Sequence, residues 1–173
     1  MKTSAFSHRI VPFIGAVAVA VAWGSVVQTH YNLQALVSLG VEIDGSVRGS
    51  TTLRDVFGGF SPTYGGYVVA PALLVGFLVA GAIARIMHRG RIGWFALAGF
   101  LGVAAAIPLV NYLSPVALLV GASREPSSIL WMAVGGALAG LLFSLATGGA
   151  NRARRAPSAT IPPPDRAGSS VPT

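Results

Sequence analysis

Hydrophobic positions in this chain fall into four blocks: Ile10–Thr29, Tyr67–Met87, Ile92–Leu113 and Ser128–Thr147. Each is about 18 to 22 residues long, enough to cross a hydrocarbon layer of about 30 Å as helix. None contains Asp, Glu or Lys, and the one arginine, Arg85, sits in the last turn of the second block. The pattern predicts an all-α fold, a four-helix transmembrane bundle.

The stretches between the blocks differ in kind. In the outside loop 30–66, Leu33, Leu36, Val37 and Gly40 recur at helical spacing, so the first helix is expected to run past the interface and stop at Gly40. Val41–Asp44 alternates like a short extended piece, and Asp44-Gly45 is a turn signal. Thr52-Leu-Arg-Asp55 has the form of a capping box, followed by Leu53, Val56, Phe57 and Phe60 on one side. That predicts a short amphipathic interfacial helix over Thr52–Phe60, lying flat on the interface or packing over the bundle, with Gly58-Gly59 ending it. The connection His88–Arg91 is so tight that the second and third spans must be antiparallel neighbours. Ser114–Ser127 holds an apolar piece, Val116–Val120, too short to cross. From Asn151 to Thr173 the chain is rich in Arg, Pro and Ser, and reads as a disordered basic tail, locally polyproline-like at Ile161–Pro164. The expected division is thus a membrane domain over 1–150 and a tail over 151–173.

Composition agrees with a membrane protein. Of 173 residues 53% are hydrophobic and only 10% charged, where soluble domains carry about 25% charge; mean hydropathy is +0.69. The net charge of +7 would suit nucleic acid, but its distribution fits a membrane better. The N-terminus, the second connection and the tail carry Lys2, Arg9, Arg85, Arg89, Arg91, Arg152, Arg154, Arg155 and Arg166 against Asp165 alone. The other two connections carry Arg48, Arg54 and Arg124 against Glu42, Asp44, Asp55 and Glu125. The positive-inside rule then places both termini in the cytoplasm, with the cations facing membrane lipids rather than nucleic acid. Cysteine is absent, which excludes disulfides and thiolate chemistry; a long outside loop without them suits a bacterial inner (plasma) membrane. Met1–Ala22 also has the outline of a signal peptide ending at Ala20-Val-Ala22, but the apolar run continues through Val27 and completes a span.

Small residues recur every four positions on three spans: Ala72, Gly76, Ala80 and Ala84; Ala98, Gly102 and Ala106; Gly136, Gly140, Ser144 and Gly148. Such ridges let helices approach closely in lipid. Gly76, Ala80, Gly102, Gly136, Gly140 and Ser144 are the expected helix-packing residues, within the chain or against a protein partner or second copy.

Candidate chemistry is sparse. With no acid or lysine inside a span, proton or ion coupling has nothing to work with. His8, His30 and His88 show no metal or haem spacing, and no Gly-x-Ser-x-Gly elbow or phosphate loop occurs. The expectation is no enzyme, no metal and no cofactor. What remains is a set of uncharged polar residues at one depth near the outer face: Ser25, Gln28, Thr29, Asn32, Thr63, Tyr64 and Asn111. They read either as hydrogen-bonding glue between helices or as a polar pocket for a lipid headgroup, quinone head or small neutral solute.

The run from Gln28 to Leu36 (QTHYNLQAL), with Gly59-Phe-Ser-Pro-Thr-Tyr64 later, resembles small uncharacterised bacterial multi-pass inner-membrane proteins. The resemblance covers the first two spans and their loop and implies no activity. The function expected from the residues is that of a non-enzymatic accessory or scaffold subunit packing on a larger membrane complex. The alternative is a homo-oligomeric channel or transporter for a small neutral or lipidic substrate.

Overall fold

The structure, a computed structural model, describes residues 3–87, 90–113 and 125–155. Four of its helices are long and apolar enough to cross a membrane: His8–Ser38, Ser61–Met87, Arg91–Leu113 and Pro126–Gly148. The chain is thus an all-α, multi-pass membrane protein. The apolar piece Val116–Val120 and residues 156–173 of the expected tail lie outside the described residues.

Helix α1 spans Thr3–Ser38. At 1.5 Å per residue it is about 54 Å long, so it overhangs a hydrocarbon layer by several turns. It stops at Gly40, whose φ of +85° is the left-handed cap that a side chain would strain. There the amide of Gly40 donates to Val37 O and that of Val41 to Leu36 O. Helix α2 covers Gly45–Phe57 and begins seven residues before the expected Thr52. Asp44 is its cap: Oδ1 accepts from the Gly45 amide and Oδ2 from Ser46 Oγ. Those bonds hold the Asp44 carboxyl below the usual carboxylate range. Thr52 is instead mid-helix, its hydroxyl donating back to Arg48 O.

α2 runs antiparallel to the overhang of α1 as a helical hairpin. Asp55 pairs with Thr29 near the bundle, while Arg48 shares a groove with Val37 further out. The expected apolar side does not face inward as a unit. Val56 and Phe60 are half-buried, but Leu53 is 60% and Phe57 82% exposed, and the flanks turned inward include Thr51, Thr52 and Asp55. The polar pairing chooses the docking face. Leu53 and Phe57 then project outward near the depth of Thr29, where the first apolar block ends.

The second span is built in three pieces: α3 (Ser61–Tyr64), a π-helical segment (Gly65–Val69) and α4 (Ala70–Met87). Residues 61–66, expected as part of the outside loop, are therefore helical. Gly90, with φ +73°, turns the chain into α5 (Arg91–Leu113), and α6 covers Pro126–Arg155. The helix thus continues through 151–155, where coil is expected from the sequence.

The four spans form a ring in the order α1, α6, α5, α4, each antiparallel to its neighbours. Across the α5–α6 seam a Cβ on Gly99 would overlap Gly136 O, one on Gly136 would overlap Gly99 O, and one on Gly140 would overlap Phe95 O. Backbone meets backbone there. At the α4–α5 seam the approach is looser: a Cβ on Gly76 would lie 3.0 Å from Ala98 O, and one on Gly102 3.1 Å from Ala72 O. The sequence ridges thus pack within the chain. Ala80 is buried in the core as well, and Ser144 behaves as a small residue, 2% exposed.

One aromatic from each span fills the interior toward the end that holds the α4–α5 turn. Phe77 of α4 stacks on Phe143 of α6 with centroids 4.7 Å apart, while Phe13 of α1 and Phe95 of α5 meet this pair edge-on or tilted at 5.4 to 6.5 Å.

Candidate functional site

The bundle has two polar ends. The loop end holds the hairpin and the starts of α3 and α6; the terminal end holds the start of α1, the α4–α5 turn and the close of α6. The polar residues singled out from the sequence all belong to the loop end.

Ser25 and Thr29 lie one turn apart on α1, at 0% and 1% exposure. A buried hydroxyl without a partner is costly, so this face needs acceptors and donors from elsewhere. Thr29 Oγ1 donates to Asp55 Oδ2 on α2 at 2.7 Å, and it also lies 2.9 Å from Ser25 O in its own helix. Ser25 Oγ lies 2.8 Å from Ser61 Oγ at the start of α3, and Ser61 Oγ bonds Asp55 O at 2.9 Å. Three elements that are separate in sequence are clamped by four side chains. Asp55 thereby places a carboxylate in contact with a buried residue of a span.

The set of seven candidates divides. Ser25, Gln28, Thr29 and Tyr64 are buried, whereas Asn32 and Thr63 are exposed and Asn111 is half-buried. Asn111 and Gln28 have interactions of their own. Asn32 and Thr63 turn away from the cluster. Their azimuth is set by which helix stands beside them, which one helix's sequence does not contain. Asp55 and Ser61 were absent from the candidate set. The signal for them was available: Ser25 and Thr29, spaced to share one face of an apolar helix, required a polar partner from the loop.

Tyr64 completes this end. Its ring stacks on Phe60 at 4.8 Å and lies so close to Gly24 that a Cβ there would overlap the ring. The tyrosine is 1% exposed, and its hydroxyl finds no hydrogen-bond partner among the described residues. Trp23, the next residue, faces the opposite neighbour: its Nε1 donates to Trp131 O at 2.8 Å, with its ring against Gly135. Tyr31 donates from its hydroxyl to Ser127 Oγ at 3.0 Å. The three residues that bracket the exit of α1 thus tie it to α6 and to the second span.

Chemically the cluster is a clamp. Among the described residues the Ser25 and Ser61 hydroxyls bond each other and the backbone oxygen of Asp55, not a histidine or a second carboxylate. Among the described residues no group of three or more His, Cys, Asp or Glu converges. Because the Tyr64 hydroxyl is a desolvated donor with nothing to meet, Tyr64→Phe is expected to raise thermal stability in mild detergent by about 1 kcal/mol. A fall instead would mean the hydroxyl has a bound partner.

No family model, no curated protein and no solved structure matches the chain.

Proposed function

We propose that the chain is a non-enzymatic subunit or scaffold of a larger membrane complex, in a bacterial inner membrane with both termini in the cytoplasm. The observation that carries the reading is a bundle closed inside and apolar outside. The four-phenylalanine layer fills its interior toward the terminal end, and the Gly99–Gly136 backbone contact closes the α5–α6 seam. With its small-residue ridges already used between its own helices, the chain offers a partner its outer faces. One of these is the α4–α5 side, where a groove of about 670 Å³ is flanked by Val75, Val79, Trp94, Leu97 and Leu101. The charge asymmetry between the two ends supports the orientation. The clamped hairpin then stands on the outer side as a fixed platform.

Native mass spectrometry after purification in mild detergent tests this reading. The expected result is a foreign membrane protein at fixed stoichiometry, joined by photo-crosslinks from Leu101 and Val75 but not from Ile14 on α1. A symmetric homo-oligomer, or a monomer carrying only lipid, would overturn it and favour a pore assembled between copies.

A further inference from the structure

The terminal end carries charge of one sign. Arg9 begins the apolar run of α1, Arg85 lies in the last turn of α4, and Arg91 opens α5. The described acids, Glu42, Asp44, Asp55 and Glu125, all belong to the loop end. No carboxylate among the described residues is therefore placed to neutralise these guanidinium groups.

Arg91 is held unlike an ordinary surface arginine. Its Nη2 donates to Thr147 Oγ1 on α6, whose own hydroxyl bonds Phe143 O at 2.6 Å. Its Cζ lies 5.3 Å from the centroid of the Phe95 ring, a cation–π arrangement. The fork crosses Gly148, where a Cβ would come within 3.3 Å of Nη1. Thr147 is 8% exposed, so its grip on the guanidinium is buried while Arg91 itself is half-buried. Arg9, exposed on α1, stands one turn before Phe13 as Arg91 stands one turn before Phe95, and both rings meet the Phe77–Phe143 pair, so the two arginines share the terminal end at one level.

Two cations at one level of the bundle, with no acid beside them among the described residues, call for an anion. Helix α5 has 23 residues, about 35 Å, so its first residue stands at headgroup depth rather than in hydrocarbon. The anion abundant at that depth is lipid phosphate. A guanidinium fork can bind phosphate through two N–H groups at once, and one already fixed by neighbours loses little freedom on binding.

We propose that Arg91, positioned by Thr147, Phe95 and Gly148, forms with Arg9 a binding site for the phosphate of an anionic phospholipid. Thr147 is a positioning residue, since its oxygen is already engaged on both sides. The site requires only that the chain lies in a membrane; it is independent of the accessory-subunit reading.

The full chain, purified and delipidated in mild detergent, would be titrated with phosphatidylglycerol and with phosphatidylcholine while native mass spectrometry follows bound lipid. Phosphatidylglycerol should be retained in preference. Arg91→Gln should weaken it about tenfold, the scale of one charge-assisted paired contact. Arg9→Gln, at an exposed position, should weaken it less, and Arg48→Gln at the loop end should not. Thr147→Val should weaken binding while Thr147→Ser restores it, which a merely structural role at the seam would not produce. Equal retention by the native chain and both Arg91→Gln and Arg9→Gln would overturn the proposal. Displacement of the lipid by millimolar inorganic phosphate would overturn the lipid assignment in favour of the free ion. Should Arg91→Gln lose its helical circular dichroism, Arg9→Gln and the threonine pair decide the matter.

Discussion

Gly136→Val is expected to prevent the native bundle from forming, and Gly136→Ala to lower its stability by at least about 3 kcal/mol. The reason is the material at the contact. A Cβ on Gly136 would meet Gly99 O and Val103 Cγ2, and one on Gly99 would meet Gly136 O. A flexible side chain can swing away from a new methyl, but a carbonyl locked in a helix cannot. The helices must separate, and separation uncovers Val103 and Ile107, both 0% exposed, and disturbs the Phe77–Phe143 stack. Gly15 and Gly93 provide the internal control, since a Cβ at either would have nothing within 4 Å. Alanine there is expected to be neutral or stabilising by up to about 1 kcal/mol through helix propensity. Thermal melts of the four variants in one detergent separate the cases. A Gly136→Ala melt matching that of Gly15→Ala would show that α5 and α6 are not in backbone contact.

Gly136, Gly140, Gly76 and Gly102 were legible from sequence, because four-residue spacing marks one face of one helix. Gly99, Gly24 and Gly135 were not. Helix α5 presents Gly102 and Ala98 to α4 but Gly99 to α6, and the order of helices around the ring decides which faces are used. Gly24 is small for Tyr64, and Gly135 for Trp23, so each position has meaning only beside a residue far along the chain. The four spans were legible for a simpler reason: charge is absent from hydrocarbon, and absence of charge is a local property. The start of α2 differs from expectation because Asp44-Gly45 reads as a turn and Thr52 as the cap. Asp44 prevails because its carboxylate takes up both the Gly45 amide and the Ser46 hydroxyl, which leaves the longer helix capped.

Depth and azimuth separate in the same way at the polar end. Counting from the charged ends of a span gives an expected depth, and it groups Ser25, Thr29 and Tyr64. Rotation about the helix axis comes from packing, and it turns Asn32 and Thr63 outward. Asp55 required a third kind of knowledge. As a loop acid eleven residues beyond Asp44 it has no evident depth until the hairpin folds back and sets it level with Thr29. The overhang of α1 is what makes that return possible. A helix ending at Thr29 would offer α2 nothing to pack on.

Asp55→Leu is expected to release α2 while leaving the membrane bundle intact. The carboxylate is the partner of Thr29, a residue 1% exposed, and a hydrogen bond to a charged group is worth about 1.5 to 3 kcal/mol. Loss of that much local stability should raise amide hydrogen exchange in 45–57 by roughly 10- to 100-fold, since about 1.4 kcal/mol is a factor of ten. Thr29→Val should act in the same direction, and the double variant should add little to either, because both remove one interaction. Asp55→Asn keeps an acceptor oxygen for Thr29 and should fall between. The rest of the clamp limits the damage: Ser61 Oγ bonds the backbone oxygen of Asp55 and the hydroxyl of Ser25, neither of which the substitution removes. The Gly99–Gly136 seam and the phenylalanine layer involve no residue of α2. Exchange within α5 and α6 should therefore stay at its native level. Unchanged exchange across 45–57 in Asp55→Leu would mean that apolar packing alone holds the hairpin. Leu53 and Phe57 argue against that outcome, because the two large apolar side chains best suited to such packing are the ones α2 turns away from the bundle.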